Sequence, residues 1–453
     1  MTPPRRQTPS ARAAPLNPPR AVSGALLAVA VLLSGCQGGL QPPSMLAFGR
    51  GHAPADPALR QRLAPESGTA ASAVIAELAS RQSILPPGSA YARIADAVLA
   101  ANPGADAAEL GLARLRAEAA SRNGWPTIAP AITLNSLAGL AAQLVVDQPL
   151  LDHGRRQAER ARAAAEVDLA AVTLTTRQNA RIHEGLSLYL TAEQARAQSV
   201  IAARAATRLS TLHDIVQARI DGGLSDRSEE QIIAQTIAEM QATLATDGQT
   251  RAQALADLAA LTGHSPPADL TGTHPLPAVP QTDALSVLRA QADGAKALAE
   301  ARITRANALP GLSANATLSE NGITPGLGIG GVRLGLGSPA TLAAADATPD
   351  LVARQTAEQR QIADRRRTEL QGRIDQLRTR QLQGETVLRQ TLDNLDLYVE
   401  QYSIGRRSLT DLTAQTAAAA RMERDQAAFP YEIAKAELEL ARDIGALVDG
   451  GRL

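Results

Sequence analysis

The sequence has little cysteine, few aromatic residues and no net charge. Its single thiol excludes a disulfide within the chain. An aromatic content of 2% is low for a compact enzyme, and a formal net charge of +0 gives no electrostatic basis for binding nucleic acid. No apolar run of about 18 residues follows Cys36, so the sequence predicts no transmembrane helix after that point. A mature chain of this kind would cross a membrane only as a closed barrel of strands.

Motifs for catalysis and metal binding are also missing. The six histidines lack the spacing of metal ligands, and no Gly-x-Ser-x-Gly elbow is present. The glycine-rich segment 321–331 follows a strand-like run and opens no helix, so it predicts a hairpin rather than a phosphate-binding loop. We therefore expect a protein that is not an enzyme and holds no metal or cofactor.

The N-terminus has the pattern of a secretory signal. Residues 1–36 contain no Asp or Glu, and the apolar run at 21–33 is shorter than the ~20 residues that span a bilayer. The dipeptide Ser-Gly precedes Cys36. The basic residues before the apolar run are Arg5, Arg6, Arg12 and Arg20. We predict a signal peptide over residues 1–35.

The segment Leu33-Ser-Gly-Cys36 resembles the lipobox of bacterial lipoproteins. The resemblance implies cleavage before Cys36 and attachment of acyl chains such as palmitate, and stable anchoring takes more than one such chain. Gln37 follows, which in that family permits sorting to the outer membrane. Residues 36–68, rich in proline and glycine, would form a tether. The alternative is a secreted protein in which a cysteine stands here by chance.

Most of the remaining sequence favours long helices, because it is rich in Ala, Arg, Gln, Glu and Leu. Residues 154–221 contain no proline, nor do 350–404, so each stretch predicts one helix; about 65 residues reach ~100 Å. Shorter helices are expected at 225–262 and 408–446, the latter kinked or split at Pro430. The second long helix shows a heptad seam of Leu388, Leu392, Leu395, Val399 and Tyr402.

The sequence also repeats itself once. Asn123-Gly-Trp-Pro matches Asn307-Ala-Leu-Pro at an offset of 307 − 123 = 184, and Gly223 matches Gly405 at 405 − 223 = 182. Each half carries two alternating segments of about nine to eleven residues, the length of a membrane strand. These matches predict a tandem internal duplication.

The predicted domains follow from this repeat. The two repeats are residues 69–263 and 282–453, and a Pro-rich linker, 264–281, joins them. The helices before the strands are expected at 91–122 and 284–308, the strand pairs at 126–148 and 310–336 (with Arg333 in the second), and the hairpin tips at 221–229 and 403–412.

Two further segments have a recognisable pattern, Gln401-Tyr-Ser-Ile-Gly-Arg-Arg-Ser-Leu-Thr-Asp-Leu412 and Gln148-Pro-Leu-Leu-Asp-His-Gly-Arg155. The first is similar to the periplasmic tip of the outer membrane factor family, the TolC-like efflux channels, and the second is similar to that family's passage from strand to helix. With the predicted lipid anchor, the resemblance is to the lipoprotein branch. It implies a mainly α fold with a small β part, in which three chains form a periplasmic helical tube and a 12-stranded barrel with four strands per chain.

The resemblance also implies a function and partners. The protein would be a passive homotrimeric channel in outer membrane lipid, extending into the periplasm and docking to a periplasmic adaptor (membrane fusion protein) and an inner-membrane pump. The alternative is a lipid-anchored periplasmic coiled-coil scaffold or adaptor without a pore. An adaptor would carry compact β domains around one hairpin, whereas this sequence predicts two hairpins and two strand pairs.

By resemblance, the hairpin tips form a gate. Tyr402 and Arg407 would hold the tip shut, with Arg407 linked to Glu229 on the first hairpin. An exposed link of this kind contributes ~0.2–1 kcal/mol, so an adaptor could break it. Asp411, repeated around a threefold axis, would form a carboxylate ring, and such rings favour cations.

The residues alone leave a simpler reading of the tips open, in which they are ordinary turns. Gly223 and Gly405 are turn residues on both readings, since glycine commonly ends a helix. On the simpler reading, Ser228 or Thr410 caps the helix that follows.

Overall fold

The order helix, strand pair, long helix, shorter helix occurs twice along the chain. The first half contains α1 (Ala73–Ser80), α2 (Ala90–Ala101), α3 (Ala105–Ser121), β1 (Thr127–Ser136), β2 (Gly139–Leu151), α4 (Arg155–Asp221) and α5 (Arg227–Thr262). The second contains α6 (Leu285–Asn307), β3 (Leu312–Ser319), β4 (Gly322–Ile329), α7 (Ser338–Ser403), α8 (Leu409–Asp443) and a 3-10 turn (Gly450–Arg452). At the tips, equivalent helix boundaries lie 403 − 221 = 182 and 409 − 227 = 182 residues apart.

The computed structural model describes residues 72–101, 104–136, 139–223, 226–265, 271–319, 322–330, 335 and 337–452, with the backbone alone for the described part of 132–142. All of them belong to one compact unit, Thr69–Leu453. The signal peptide 1–35, Cys36, the tether 36–68 and Arg333 lie outside the described residues, so the predictions about them stay predictions.

Helices α4 and α7 are nearly equal in length, with 67 and 66 residues. The predicted start of α7 at residue 350 is wrong, because the helix begins at Ser338 and continues through Pro349. A proline inside a helix costs ~3 kcal/mol. Helix α7 packs closely against α6 near this proline, since a Cβ on Gly294 of α6 would collide with Val352 of α7.

Helix α8 is continuous over Leu409–Asp443 with Pro430 inside it, so of the predicted kink or split at this proline the split is wrong. Packing holds the helix on both sides of the proline. Phe429 packs against an apolar cluster shared by α7 and α8, and Tyr431 belongs to a cluster shared with α2, α4 and α5. None of the described helices combines the length and the apolar composition needed to cross a membrane.

The end of α8 also differs from the prediction. The helix ends at Asp443, three residues before the predicted end at 446, and Gly445 adopts a left-handed φ of +72°. The N–H of Gly450 donates to the carbonyl of Arg81 at 2.8 Å. A Cβ on Gly450 would lie 2.7 Å from the backbone of Ala79, so only glycine fits this contact between the C-terminal turn and α1.

The single helix predicted over residues 91–122 is two helices, α2 and α3. The sequence between them is Asn102-Pro-Gly104. Proline disfavours the helical conformation in the residue before it, and Gly104 has a φ of +151°, which glycine tolerates. The prediction overlooked this break.

One antiparallel sheet with the strand order β1-β2-β3-β4 joins the two halves. β1 pairs with β2 and β3 pairs with β4, while β2 pairs with β3 across the repeat, which places Leu144 opposite Leu318. β3 and β4 have 8 residues each, fewer than expected, and β4 lies within the glycine-rich segment 321–331.

Hydrogen bonds hold the described part of the linker 264–281 against the helices. Burial raises the pKa of Tyr91 to about 12, and its hydroxyl accepts a hydrogen bond from the N–H of His274 at 3.2 Å. The hydroxyl of Tyr189 donates to the carbonyl of Gly272 at 2.9 Å. The linker therefore lies against α2 and α4 beside the largest apolar cluster.

Candidate functional site: the hairpin tips and the sheet

Each long helix ends in a glycine turn at the tip. Gly223 follows α4 with a φ of +71°, and Gly405 follows α7 with a φ of +74°, values that favour glycine. After α7, the N–H of Gly405 donates to the carbonyl of Tyr402 at 3.0 Å, and the N–H of Arg406 donates to that of Gln401 at 2.8 Å. These two bonds form a Schellman motif, which ends the helix and reverses the chain.

The shorter helices begin at side-chain caps that were not predicted. Asp226 caps α5, with its carboxylate accepting from the N–H of Ser228 at 3.4 Å. Ser408 caps α8, with its hydroxyl accepting from the N–H of Asp411 at 3.1 Å. The expected caps, Ser228 and Thr410, are wrong by two positions in each case.

Glu229 and Asp411 occupy equivalent places in the first turns of α5 and α8, 411 − 229 = 182 residues apart. A carboxylate there stabilises the helix by ~0.3–1 kcal/mol through the helix dipole. In the described part of the chain, no group of three or more His, Cys, Asp or Glu side chains is placed to hold a metal ion. The predicted roles of these two residues in a gate stay predictions.

An apolar cluster holds the four helices of the tip together. Its buried members are Val216 of α4, Ile233 of α5, Leu395 and Tyr402 of α7, and Leu409, Leu412 and Ala419 of α8. The seam predicted in α7 is present in part, since Leu392 packs against Leu395 and Tyr402. Val399 is 47% exposed, and Tyr398 packs against the cluster instead. The buried stripe therefore shares Leu392, Leu395 and Tyr402 with the predicted heptad, has Tyr398 in place of Val399, and does not include Leu388.

Tyr402 links the two long helices through Arg219, a residue that was not predicted from the sequence. Arg219 Nη1 donates to the Tyr402 hydroxyl at 3.0 Å, and the guanidinium carbon lies 5.3 Å from the ring centroid. Arg219 is the basic residue in the last turn of α4. Its position is next to 402 − 182 = 220, the equivalent of Tyr402 in the first half, so the repeat offset was a usable signal.

Arg407, in the turn between α7 and α8, contacts two residues of α7. Its guanidinium carbon lies 4.5 Å from the ring centroid of Tyr398, and its Nε donates to Gln401 Oε1 at 3.0 Å. A cation over an aromatic face contributes ~0.5–1 kcal/mol at an exposed site. The link from Arg407 to Glu229 across the tip stays a prediction.

The sheet has one apolar and one polar face, because residues opposite each other in register lie on the same side. The apolar face carries Ile128, Leu144, Val146, Leu312, Leu318, Ile323, Leu327 and Ile329. The other face carries most of the polar side chains, Thr127, Asp147, Ser313, Asn315, Thr317 and Thr324, together with Ala129, Val145, Pro149, Gly326 and Gly328. On β4 the apolar side chains are exposed, with Ile323 at 72%, Leu327 at 74% and Ile329 at 77%. An exposed apolar surface of this kind marks a contact with lipid or protein.

The chain passes from β2 into α4 through a turn organised by Asp152. His153 and Gly154 both have left-handed φ values, +51° and +83°. The Asp152 carboxylate accepts from the N–H of Gly154 at 3.2 Å and from Nε of Arg156 at 2.7 Å. Burial alone would raise the pKa of Asp152, but the hydrogen bonds from Arg156 and Gly154 lower it below its usual value. This turn sets the direction of α4 relative to the sheet.

Several solved outer membrane proteins have a similar structure. The outer-membrane channel OprN matches with a TM-score of 0.70 at 16% identity, covering 81% of this chain and 93% of that one. The outer membrane protein VceC of Vibrio cholerae gives 0.68 at 14% identity, covering 78% and 96%. The open state of the MtrE outer membrane channel of Neisseria gonorrhoeae gives 0.66 at 15% identity, covering 80% and 91%. This chain has the TolC-like fold of outer membrane channels.

The TolC-like fold confirms the fold class predicted from the sequence, which is mainly α with a small sheet of four strands. No protein-family model and no curated protein matches the sequence. The likeness is therefore one of fold, and the lipoprotein branch stays a prediction.

Proposed function

We propose that this chain is the outer membrane channel of a tripartite efflux or export system. It works as a passive homotrimeric conduit that is anchored in outer membrane lipid, extends into the periplasm and docks to a periplasmic adaptor and an inner-membrane pump. The fold shared with OprN, VceC and MtrE supports this proposal. The partner pump supplies the energy and selects the substrate.

The two-faced sheet is the observation that carries the proposal. Its outer strands, β1 and β4, are the two edges of the sheet. Open strand edges do not occur in hydrocarbon, because their backbone groups would lack hydrogen-bond partners. Three chains of four strands each close into 3 × 4 = 12 strands, with Leu327 and its exposed neighbours toward lipid and the polar face toward the lumen.

We further propose that residues 69–263 and 282–453 are two copies of one unit, joined by 264–281. The recurrence of the same order of elements supports this division. Helices α4 and α7 are ~100 Å long at 1.5 Å per residue, and α5 and α8 return beside them. In a trimer these helices would form the tube below the sheet.

A direct test is to purify the full-length protein from membranes and measure its oligomeric state and conductance. We expect a trimer that resists heating in detergent and stepwise currents in planar bilayers. A monomer without conductance would contradict the proposal and would favour the lipid-anchored coiled-coil scaffold.

In this proposal the tip is the gate, and the Arg219–Tyr402 hydrogen bond is one of the contacts that stabilise its closed state. Tyr402→Phe removes the hydroxyl that accepts from Arg219, a hydrogen bond with a net contribution of ~1 kcal/mol. If the three links of a trimer open together, the total of ~3 kcal/mol corresponds to a rise of about 100-fold in the open-to-closed ratio. Single-channel recording measures this ratio.

Tyr398→Phe is the matched control for this variant. It makes the same chemical change four residues earlier on α7, and it keeps the ring over which Arg407 lies. We expect its open-to-closed ratio to stay within about twofold of the wild type. Equal open-to-closed ratios in the two variants would show that the Arg219–Tyr402 contact does not stabilise the closed gate.

Arg407, Glu229 and Asp411 keep their proposed places in the gate. Arg407 lies at the turn and Glu229 at the start of α5 on the other hairpin, so a link between neighbouring hairpins would join them. Asp411 at the start of α8 would form a carboxylate ring in the trimer, and such rings favour cations.

The proposed lipid anchor gives a separate prediction. Cys36→Ser removes the only thiol of the chain, so metabolic labelling with palmitate should fall to background while the protein is still exported. Replacing Ser34 by Thr is the control and should keep labelling. Continued acylation of Cys36→Ser would contradict the lipobox assignment.

A further inference from the structure

Asp147 is the one residue with an ionisable side chain in the four described strands. It lies on the polar face of the sheet, opposite Thr127 of β1. We infer that three copies of Asp147 form a carboxylate ring inside the barrel and give that part of the channel a preference for cations. This inference rests on the proposed function, because a ring requires three chains around one lumen.

The register places Asp147 in a polar row that crosses the whole sheet. Asp147 lies opposite Asn315 of β3, and Asn315 lies opposite Gly326 of β4. A Cβ on Gly326 would lie 2.6 Å from Asn315 Oδ1, so the asparagine side chain covers the glycine on this face. The neighbours of the carboxylate in its row are therefore small or uncharged. None of them neutralises its negative charge, which faces the proposed lumen.

Within the described residues, Asp147 forms no ion pair with a lysine or an arginine. The two arginines that follow β2 pair with other carboxylates, Arg155 with Glu159 at 3.7 Å and Arg156 with Asp152 at 2.7 Å. A like-charged ring in a lumen with low-dielectric walls concentrates counter-ions. The unpaired carboxylate is thus suited to attract cations.

The position of Asp147 along the sheet places this ring at the junction with the helices. Its partner Thr127 is the first residue of β1, directly after α3. The proposed ring is therefore at the opposite end of α4 from the tip and is distinct from a ring of Asp411 there. A cation preference set at the junction should not depend on the tip carboxylates.

The test is the reversal potential of single channels of the full-length protein in a tenfold KCl gradient. We expect Asp147→Asn to lower the ratio of K⁺ to Cl⁻ permeability at least twofold, and Asp147→Glu to leave it unchanged. Adding Thr317→Asp to Asp147→Asn should restore the preference, because Thr317 lies two residues from Asn315 on the same face of β3.

The outcomes separate this inference from the proposed function. A conducting Asp147→Asn channel with the wild-type permeability ratio would overturn the inference and leave the channel function intact. A wild-type protein that does not conduct would overturn both. A Thr317→Asp addition that restores the lost ratio would support the ring by moving its charge to another strand.

Discussion

Leu327→Arg is expected to prevent assembly of the protein in the outer membrane. Leu327 lies on the apolar face of β4 and is 74% exposed. An arginine that faces lipid costs ~0–1 kcal/mol near the membrane interface and ~2–4 kcal/mol at the midplane, and a trimer would contain three of them. We expect the fraction of heat-resistant trimer in isolated outer membranes to fall at least tenfold.

The matched control is Thr324→Arg, three residues earlier on the same strand. Thr324 is exposed as well, but it lies opposite Thr317 on the polar face. An arginine there would point into the aqueous lumen, so this variant should assemble at the wild-type level. Equal assembly of the two variants would show that the apolar face does not meet lipid.

Arg424→Ala is expected to lower the free energy of unfolding by ~3–5 kcal/mol, the usual cost of breaking a buried ion pair. Arg424 of α8 donates to Asp247 Oδ1 of α5 and to the carbonyl of Gln198 of α4, each at 3.0 Å. Its side chain is 17% exposed and that of Asp247 is 9% exposed. Removing the arginine leaves the Asp247 carboxylate buried without its cation. Urea unfolding followed by circular dichroism measures the loss.

Arg204→Ala provides the control for burial. Arg204 of α4 donates to Glu423 at 2.8 Å, but its side chain is 50% exposed. An exposed pair contributes ~0.2–1 kcal/mol, so this variant should lose much less stability. A loss in Arg424→Ala as small as in Arg204→Ala would show that the three-helix contact at Arg424 carries little of the stability.

The parts of the tip that depend on local backbone geometry could be predicted from the sequence. Gly223 and Gly405 stand at one repeat offset, and each adopts the left-handed φ that glycine allows. The caps could not be assigned, because Asp226, Ser228 and Ser408 all lie within reach of a helix start and only the chain path selects among them. Arg219 lies one position from the repeat equivalent of Tyr402, so the offset indicated the region, but its contact with Tyr402, 183 residues away, depends on how α4 packs against α7.

Tertiary packing also decided where the helices run. Pro349 and Pro430 both argue locally for a helix boundary, yet both lie inside helices. The cost of each proline is local, whereas the packing that opposes it extends along α6, α7 and α8. At Pro103 the proline does coincide with a helix boundary, since α2 ends at Ala101.

By itself, the sequence determined that long helices and short strands occur in the same order twice, and where glycine turns the chain, because these depend on composition, periodicity and single φ values. Only the tertiary structure decided that β2 pairs with β3 and so places Asp147 beside Asn315, and that Arg219 meets Tyr402. Strand register and contacts between distant helices depend on how whole faces pack, and a shift of one residue moves every side chain of a strand to the other face.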